Sequence, residues 1–173
     1  MPKMPNSPSP SGRDDWTTPD DFYARLDREF GFCLDAAADA SNFRAAGYLI
    51  DALSDAWHIG PIFCNPPYGR LATPLWLNRG ITEFNRTGNT TVFLLPAATE
   101  TKWFHELAVP NAAEIRLIKG RLKFGNALYK DGTVGEASAP FPSAVVILRN
   151  APSLRIFGSK TSAYISAWDW RKE

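Results

Sequence analysis

Ile62-Phe63-Cys64 is an apolar run that ends abruptly in Asn65-Pro66-Pro67-Tyr68-Gly69. Two consecutive prolines offer no N–H to a neighbouring strand and hold φ near about −65°, so the chain must leave any sheet at Asn65. A short apolar run bounded by turn residues suits a strand buried on both faces. Such strands belong to parallel sheets covered by helices. The segment thus predicts an α/β domain in which one buried strand delivers a polar side chain to the rim of the sheet.

The rest of the chain agrees. Thr18 suits a helix N-cap, with Pro19 at the first helical position. Phe22, Leu26 and Phe30 then form one stripe that stops at Gly31. A strand is predicted over Phe32-Cys33-Leu34-Asp35, a helix from Thr73-Pro74 to Phe84, a strand over 91–95 closed by Pro96, and a helix over 101–108 ending before Pro110. Residues 40–60 carry no clear period. Three strands follow, over 115–118, 121–124 and 144–148, and Leu154 to Phe157 suits one more. Alternating strands and helices predict a single Rossmann-like domain: a mixed sheet, mostly parallel, with antiparallel C-terminal strands. Asp35 and Asn65 end their strands, on the rim where such sheets bind ligands.

Length and composition set the limits. At 173 residues the chain suits one domain, read as 14–173 behind a disordered Pro- and Ser-bearing tail over 1–13. A hydrophobic content of 45% supports a packed core, and no apolar run is long enough to span a membrane. Cys33 and Cys64 sit in apolar runs, where a buried thiol is expected rather than a disulfide, in a reduced cytoplasmic protein. With His58 and His105 the only histidines, no metal-ligand spacing occurs. A net charge of +1 excludes a protein that coats nucleic acid by charge alone. Five basic residues between Arg116 and Lys130, with no acidic one, form a local exception. They suit either the solvated face of a strand pair or a ribbon that contacts phosphates.

Asn65-Pro66-Pro67-Tyr68 is either a simple turn or a site. As a site its chemistry is specific. A planar amine such as N6 of adenine is a weak nucleophile, because its lone pair is delocalised into the ring. Two acceptors aimed at its N–H bonds pull the nitrogen toward tetrahedral geometry and localise that pair. Asn65 Oδ1 and the Pro66 carbonyl supply two acceptors, Pro66 and Pro67 hold them stiffly in advance, and Tyr68 offers a face for stacking a base. No covalent intermediate is needed.

The chain resembles the bacteriophage-type DNA N6-adenine methyltransferases. The likeness rests on ordered blocks: Asp15 to Pro19, Phe32 to Ala38, Ile62 to Gly69, Leu95 to His105, Gly120 to Gly125 and Pro140 to Val146. It implies S-adenosylmethionine as cofactor, DNA as substrate, a base flipped out for methylation, and work inside a bacterial cell for a phage or prophage. It also implies that Trp16, Thr18 and Pro19 help hold the cofactor, that Asp35, Ala36 and Ala37 line its methionine end, and that Asp51 and Leu53 reach its adenosine half. The Gly-rich turn usual after the first strand of nucleotide-binding folds is missing. Only a short stretch separates Asp35 from Ile62, so an abbreviated sheet is expected.

With DNA as substrate, Arg121 and Lys123, on one face of a predicted strand, become candidates for phosphate contact, while Phe124 alternates into the core. Trp103 and Phe104 are read as helix packing, and Trp168-Asp169-Trp170 as a packing anchor. The same tetrapeptide also serves methylation of an RNA base or of a glutamine amide, and a catalytically dead binding module is the alternative from another class. Base choice is assigned to the loops over 69–74 and 126–139.

Overall fold

Residues 20–30 form α1 (Asp20–Phe30), which buries Phe22, Tyr23 and Leu26 and stops at Gly31, where φ is 63° and the N–H caps the Asp27 carbonyl. The computed structural model describes residues 17–57, 60–128, 134–150 and 163–172, the side chains of 126–128 and 134 aside. The N-cap of α1 is Pro19 and no side chain caps it, which corrects the cap expected at Thr18. The Thr18 hydroxyl is turned instead toward Asn65.

Among the described residues nine strands follow in chain order. They are β1 (Leu34–Asp35), β2 (Gly47–Tyr48), β3 (Ile62–Cys64), β4 (Thr91–Pro96), β5 (Glu114–Ile118), β6 (Lys123–Leu128), β7 (Val134–Ser138), β8 (Ser143–Leu148) and β9 (Tyr164–Trp168). Seven make one sheet in the order β2-β1-β3-β4-β8-β5-β9. Pairing is parallel among β2, β1, β3 and β4 and between β5 and β9, and antiparallel where β8 meets β4 and β5. The chain is therefore a mixed α/β domain with a mostly parallel sheet.

Period-two alternation sorts the central strands onto two faces. Ile62, Cys64, Phe93, Leu95, Val146 and Leu148 pack with Trp57 and Leu77 of α2 (Ala72–Thr87). Phe63, Val92, Leu94, Val145 and Ile147 pack with Phe22 and Leu26 of α1 and with Phe124. Every residue of β8 is buried, as a strand covered on both faces must be.

Several expectations are corrected. β6 starts at Lys123 rather than Arg121 and pairs antiparallel with β7 in a separate two-stranded sheet, not as an addition to the main one. β9 has a weak apolar pattern, with Tyr164 and Ile165 exposed on an edge, and no local signal announces it in the sequence. It runs parallel to β5, so the C-terminal strands are not all antiparallel. Its last residue, Trp168, is buried against Phe22, and Trp170 meets the same ring edge-on at 5.2 Å, which makes this end a packing anchor.

The helix expected to stop before Pro110 runs through it. A π-helical stretch, Phe104–Ala108, bonds Val109 N–H to the Phe104 carbonyl and hands over to α3 (Val109–Asn111). Pro110 therefore lies within a continuous helical run and donates no backbone hydrogen bond to the turn before it. The tail expected over 1–13, Trp16, His58, Lys130 and the strand expected at Leu154–Phe157 lie outside the described residues.

The main sheet has seven strands, so it is not abbreviated as expected; only its β1–β2 end is short, with two residues in each strand and 36–46 joining them through turns without a helix. From β1 the chain steps outward to β2, then returns to β3 on the other side of β1 and continues to β4. The order reverses between β1 and β3. Loops diverge at such a point and leave a crevice at the carboxyl ends of the strands.

Candidate active site

Asp35 closes β1 opposite Phe63 of β3, and Asn65 stands two residues beyond Phe63. Both polar strand ends therefore reach the same crevice. A cavity of about 60 Å³ opens there, lined by Thr17, Thr18, Asp35, Asn42, Arg44 and Asn65 together with Ala37, Ala38, Phe63 and Pro67. Asp35 is 4% exposed. It accepts hydrogen bonds from the backbone N–H groups of Arg44, at 3.1 Å, and Ala37. Burial still dominates and pushes its carboxyl up to about 6.

Asn65 is held at both ends. Its Nδ2 donates to Thr18 Oγ1 at 3.1 Å, and its Oδ1 accepts from the Tyr68 hydroxyl at 2.5 Å. That hydroxyl also lies 3.2 Å from the Leu94 carbonyl. The Tyr68 ring meets Phe141 edge-on at 5.3 Å and Phe124 at 6.2 Å. Burial raises the Tyr68 phenol and the Cys64 thiol well above their ordinary values, so both stay protonated. Cys64 lies in the core and both cysteines are free thiols. Neither phenol nor thiol is poised as a nucleophile.

On its other side the tetrapeptide borders a groove of about 830 Å³. Tyr68 lines it with Arg70, Pro74, Pro96, Trp103 and Phe141. Asn65 and Pro67 thus face a small polar cavity while Tyr68 faces a large and more apolar one. Phe104 is buried as expected, but Trp103 is only half-buried and lines this groove.

The predicted cofactor residues divide. Thr18 and Asp35 line the polar cavity, with Ala37 beside them. Ala36 is turned into the core instead, and its N–H donates to the Phe63 carbonyl at 2.9 Å. Pro19 starts α1 next to the cavity without lining it. Asp51 and Leu53 lie in the turn after β2, outside the lining, with the Asp51 carbonyl accepting from Ser54 and Asp55.

Thr17, Asn42 and Arg44 are lining residues that the sequence did not single out. The last two sit in the stretch without a period, and the signal for them was turn chemistry: Asp39 Oδ1 accepts from the N–H and hydroxyl of Ser41, and Asn42 Oδ1 accepts from Asp39 N–H.

The basic run also divides. Arg116 is bound by Glu29 and Glu114, at 2.7 Å each, and lies over the Trp168 ring at 5.1 Å, while Lys119 pairs with Asp169 at 3.1 Å. Arg121 and Lys123 are exposed and alternate with the buried Leu122 and Phe124. Their hairpin is tied to the cavity by a bridge between Thr17 and Gly125, whose N–H groups donate to each other's carbonyls at 3.2 and 3.0 Å. A Cβ at Gly125 would stand 2.4 Å from Thr17 Oγ1, so any larger residue there would force the Thr17 side chain to shift.

Among the described residues no grouping of His, Cys, Asp and Glu could hold a metal ion, and no helix is long and apolar enough to cross a membrane. No curated protein matches the chain closely enough in sequence to count as a relative. The family model of the DNA N-6-adenine-methyltransferases (Dam) matches residues 6–165, and the chain, with its Asn65 to Tyr68 rim intact, belongs to that family of DNA adenine methyltransferases.

Proposed function

We propose that the protein transfers a methyl group from S-adenosylmethionine directly to N6 of an adenine swung out of DNA, within a recognition sequence, on a Rossmann-like sheet. The observation that carries this reading is the place of the Asn65 to Tyr68 segment between a polar cavity and a large groove. The cofactor supplies an electrophilic methyl group on a sulfonium. The polar cavity suits its amino-acid end, since a buried carboxylate stands there beside two threonines and two asparagines.

Asn65 Oδ1 and the Pro66 carbonyl accept the two N–H bonds of the adenine amine and localise its lone pair. Charge develops on N6 as the methyl arrives, and fixed acceptors stabilise it without reorganising. When the amine reaches Oδ1, the Tyr68 hydroxyl has the Leu94 carbonyl as its second acceptor, so no donor is stranded. Thr18 keeps hold of the amide through Nδ2. The methylated nitrogen is strongly acidic and releases its proton to water. A base inside a duplex cannot reach the rim, so extrusion is required, and the groove beside Tyr68 is where the extruded base enters. Arg121 and Lys123 contact phosphates of the same DNA. Nothing in the site favours an RNA base, a glutamine amide or a dead binding module.

The test is incubation with unmethylated DNA and methyl-labelled S-adenosylmethionine, followed by digestion to nucleosides. N6-methyladenine is expected, unaffected by EDTA. N4-methylcytosine alone, label in protein, or loss of activity on chelation overturns the reading.

A further inference from the structure

We propose that Arg44 is the carboxylate-reading half of the cofactor cavity, so that Arg44 and Asp35 together recognise the zwitterionic amino-acid end of S-adenosylmethionine. This rests on the cofactor reading above and adds a residue to which that reading gave no role.

Arg44 and Asp35 are the two charged residues in the cavity lining. They are of opposite sign, yet no ion pair joins their side chains among the described residues. Asp35 is satisfied by backbone N–H groups, one of them Arg44's own. The Arg44 guanidinium has other partners, donating to the Thr18 carbonyl at 2.5 Å and pairing with Asp20. An anion and a cation held apart in one small cavity match a ligand that carries both charges on one carbon. An α-amino acid is such a ligand: its ammonium meets Asp35 and its carboxylate meets the guanidinium.

The present partner of Arg44 does not block this. The Asp20 side chain is 87% exposed, and a pair with so exposed a carboxylate is worth little. Exchanging it for the carboxylate of a ligand in the cavity costs little for the same reason. The Thr18 carbonyl meanwhile holds the guanidinium plane in place. A guanidinium has five N–H groups, so it can keep the Thr18 contact and still present two donors to a carboxylate.

The alternative is a latch: Arg44 ties residues 18–20 to the 36–46 loop and touches no ligand. Decarboxylated S-adenosylmethionine separates the two, because it keeps the ammonium and lacks only the carboxylate. By calorimetry, the wild-type protein should bind S-adenosylmethionine more tightly than the decarboxylated compound by about tenfold to a hundredfold, the worth of hydrogen bonds to a charged group. Arg44→Gln should lower affinity for S-adenosylmethionine by a similar factor and leave the decarboxylated compound almost unchanged.

Equal loss of both ligands on substitution identifies the latch and overturns the proposal. So does equal binding of both by the wild type, which needs no variant and is immune to a folding defect. If the wild type binds neither, the cofactor reading fails and takes this one with it.

Discussion

The rim at 62–69 and the loop at 36–46 meet in one cavity but are held in place by different means. The rim leaves β3, which is paired on both sides and fully buried, and its two prolines fix the backbone. The loop joins two strands of two residues each and is shaped by side chains bonding to nearby backbone, as Asp39, Asn42 and Asp35 do. Stiff backbone suits groups that must already be aimed when charge develops, whereas a loop of local hydrogen bonds suits gripping a ligand that arrives and leaves. The rim should therefore govern the chemical step and the loop the affinity for the cofactor.

The largest effect is expected at the rim. Asn65→Ala removes one of two acceptors in the transition state and should lower kcat by about a hundredfold to a thousandfold, the usual loss for one preorganised polar group. Cofactor affinity should change little. Asn65→Asp keeps an acceptor oxygen and should retain part of the activity. Single-turnover kinetics beside calorimetry checks this split, and a matching loss of cofactor affinity would break the contrast between the two regions.

The loop comes next. Asp35→Ala should weaken S-adenosylmethionine binding by about 1.5–3 kcal/mol, one charge-assisted hydrogen bond, with kcat at saturation much less affected. The same residue gives a pH signature. Because the Asp35 carboxyl is raised to about 6, cofactor affinity should fall as pH drops below 6, where the ammonium loses its anionic partner. Stability should move the other way. The folded state binds the extra proton between the unfolded value near 3.8 and 6, so the protein gains stability as pH falls through that window, by about 3 kcal/mol at most. Asp35→Asn should flatten both profiles, measured by calorimetry and denaturant unfolding.

The same contrast explains what was legible in the sequence. Ile62 to Tyr68 announced itself because an apolar run and paired prolines are local signals, and so did the stripe of α1 and its stop at Gly31. Thr18 was read as a helix cap because its partner, Asn65, lies 47 positions away and no local pattern records that bond. Arg44 was hidden for a like reason, since its neighbours Thr18 and Asp20 precede it by more than twenty residues. Ala36 and Ala37 look alike in sequence, yet the turn after β1 sends one into the core and the other into the cavity. β9 is an edge strand whose neighbour, β5, and not its own pattern, defines it.

Tyr68 belongs to the rim but faces the groove, so its effect should depend on the DNA. Extruding a paired adenine costs a few kcal/mol, and base stacking on an aromatic ring returns about 1–3 kcal/mol. Tyr68→Ala should slow methylation of a matched duplex by that amount and slow a mismatched or single-stranded target less. Tyr68→Phe keeps the ring and frees Asn65 Oδ1 of its present donor, so it should be mild. Equal loss of activity on matched and mismatched duplexes would show that Tyr68 shapes the rim and does not receive the base.

The smallest effect is expected at the hairpin, where the contact proposed for the two exposed cations is with the charge of DNA alone. Arg116 and Lys119 are already committed to carboxylates, so the phosphate contact predicted for the basic run falls on Arg121 and Lys123. Replacing both with Ala should reduce the slope of log K against log salt by about 0.9 for each phosphate that is no longer neutralised, with cofactor affinity and kcat at saturating DNA unchanged. The bridge from Thr17 to Gly125 makes this more than a matter of charge, because it joins the hairpin to a residue that lines the polar cavity. Gly125→Ala forces a Cβ against Thr17 Oγ1 without touching a charge. It should leave the salt slope intact and weaken cofactor binding, whereas the double Ala variant should do the reverse. A change in both quantities for either variant would mean that the hairpin and the cavity act as one unit rather than two.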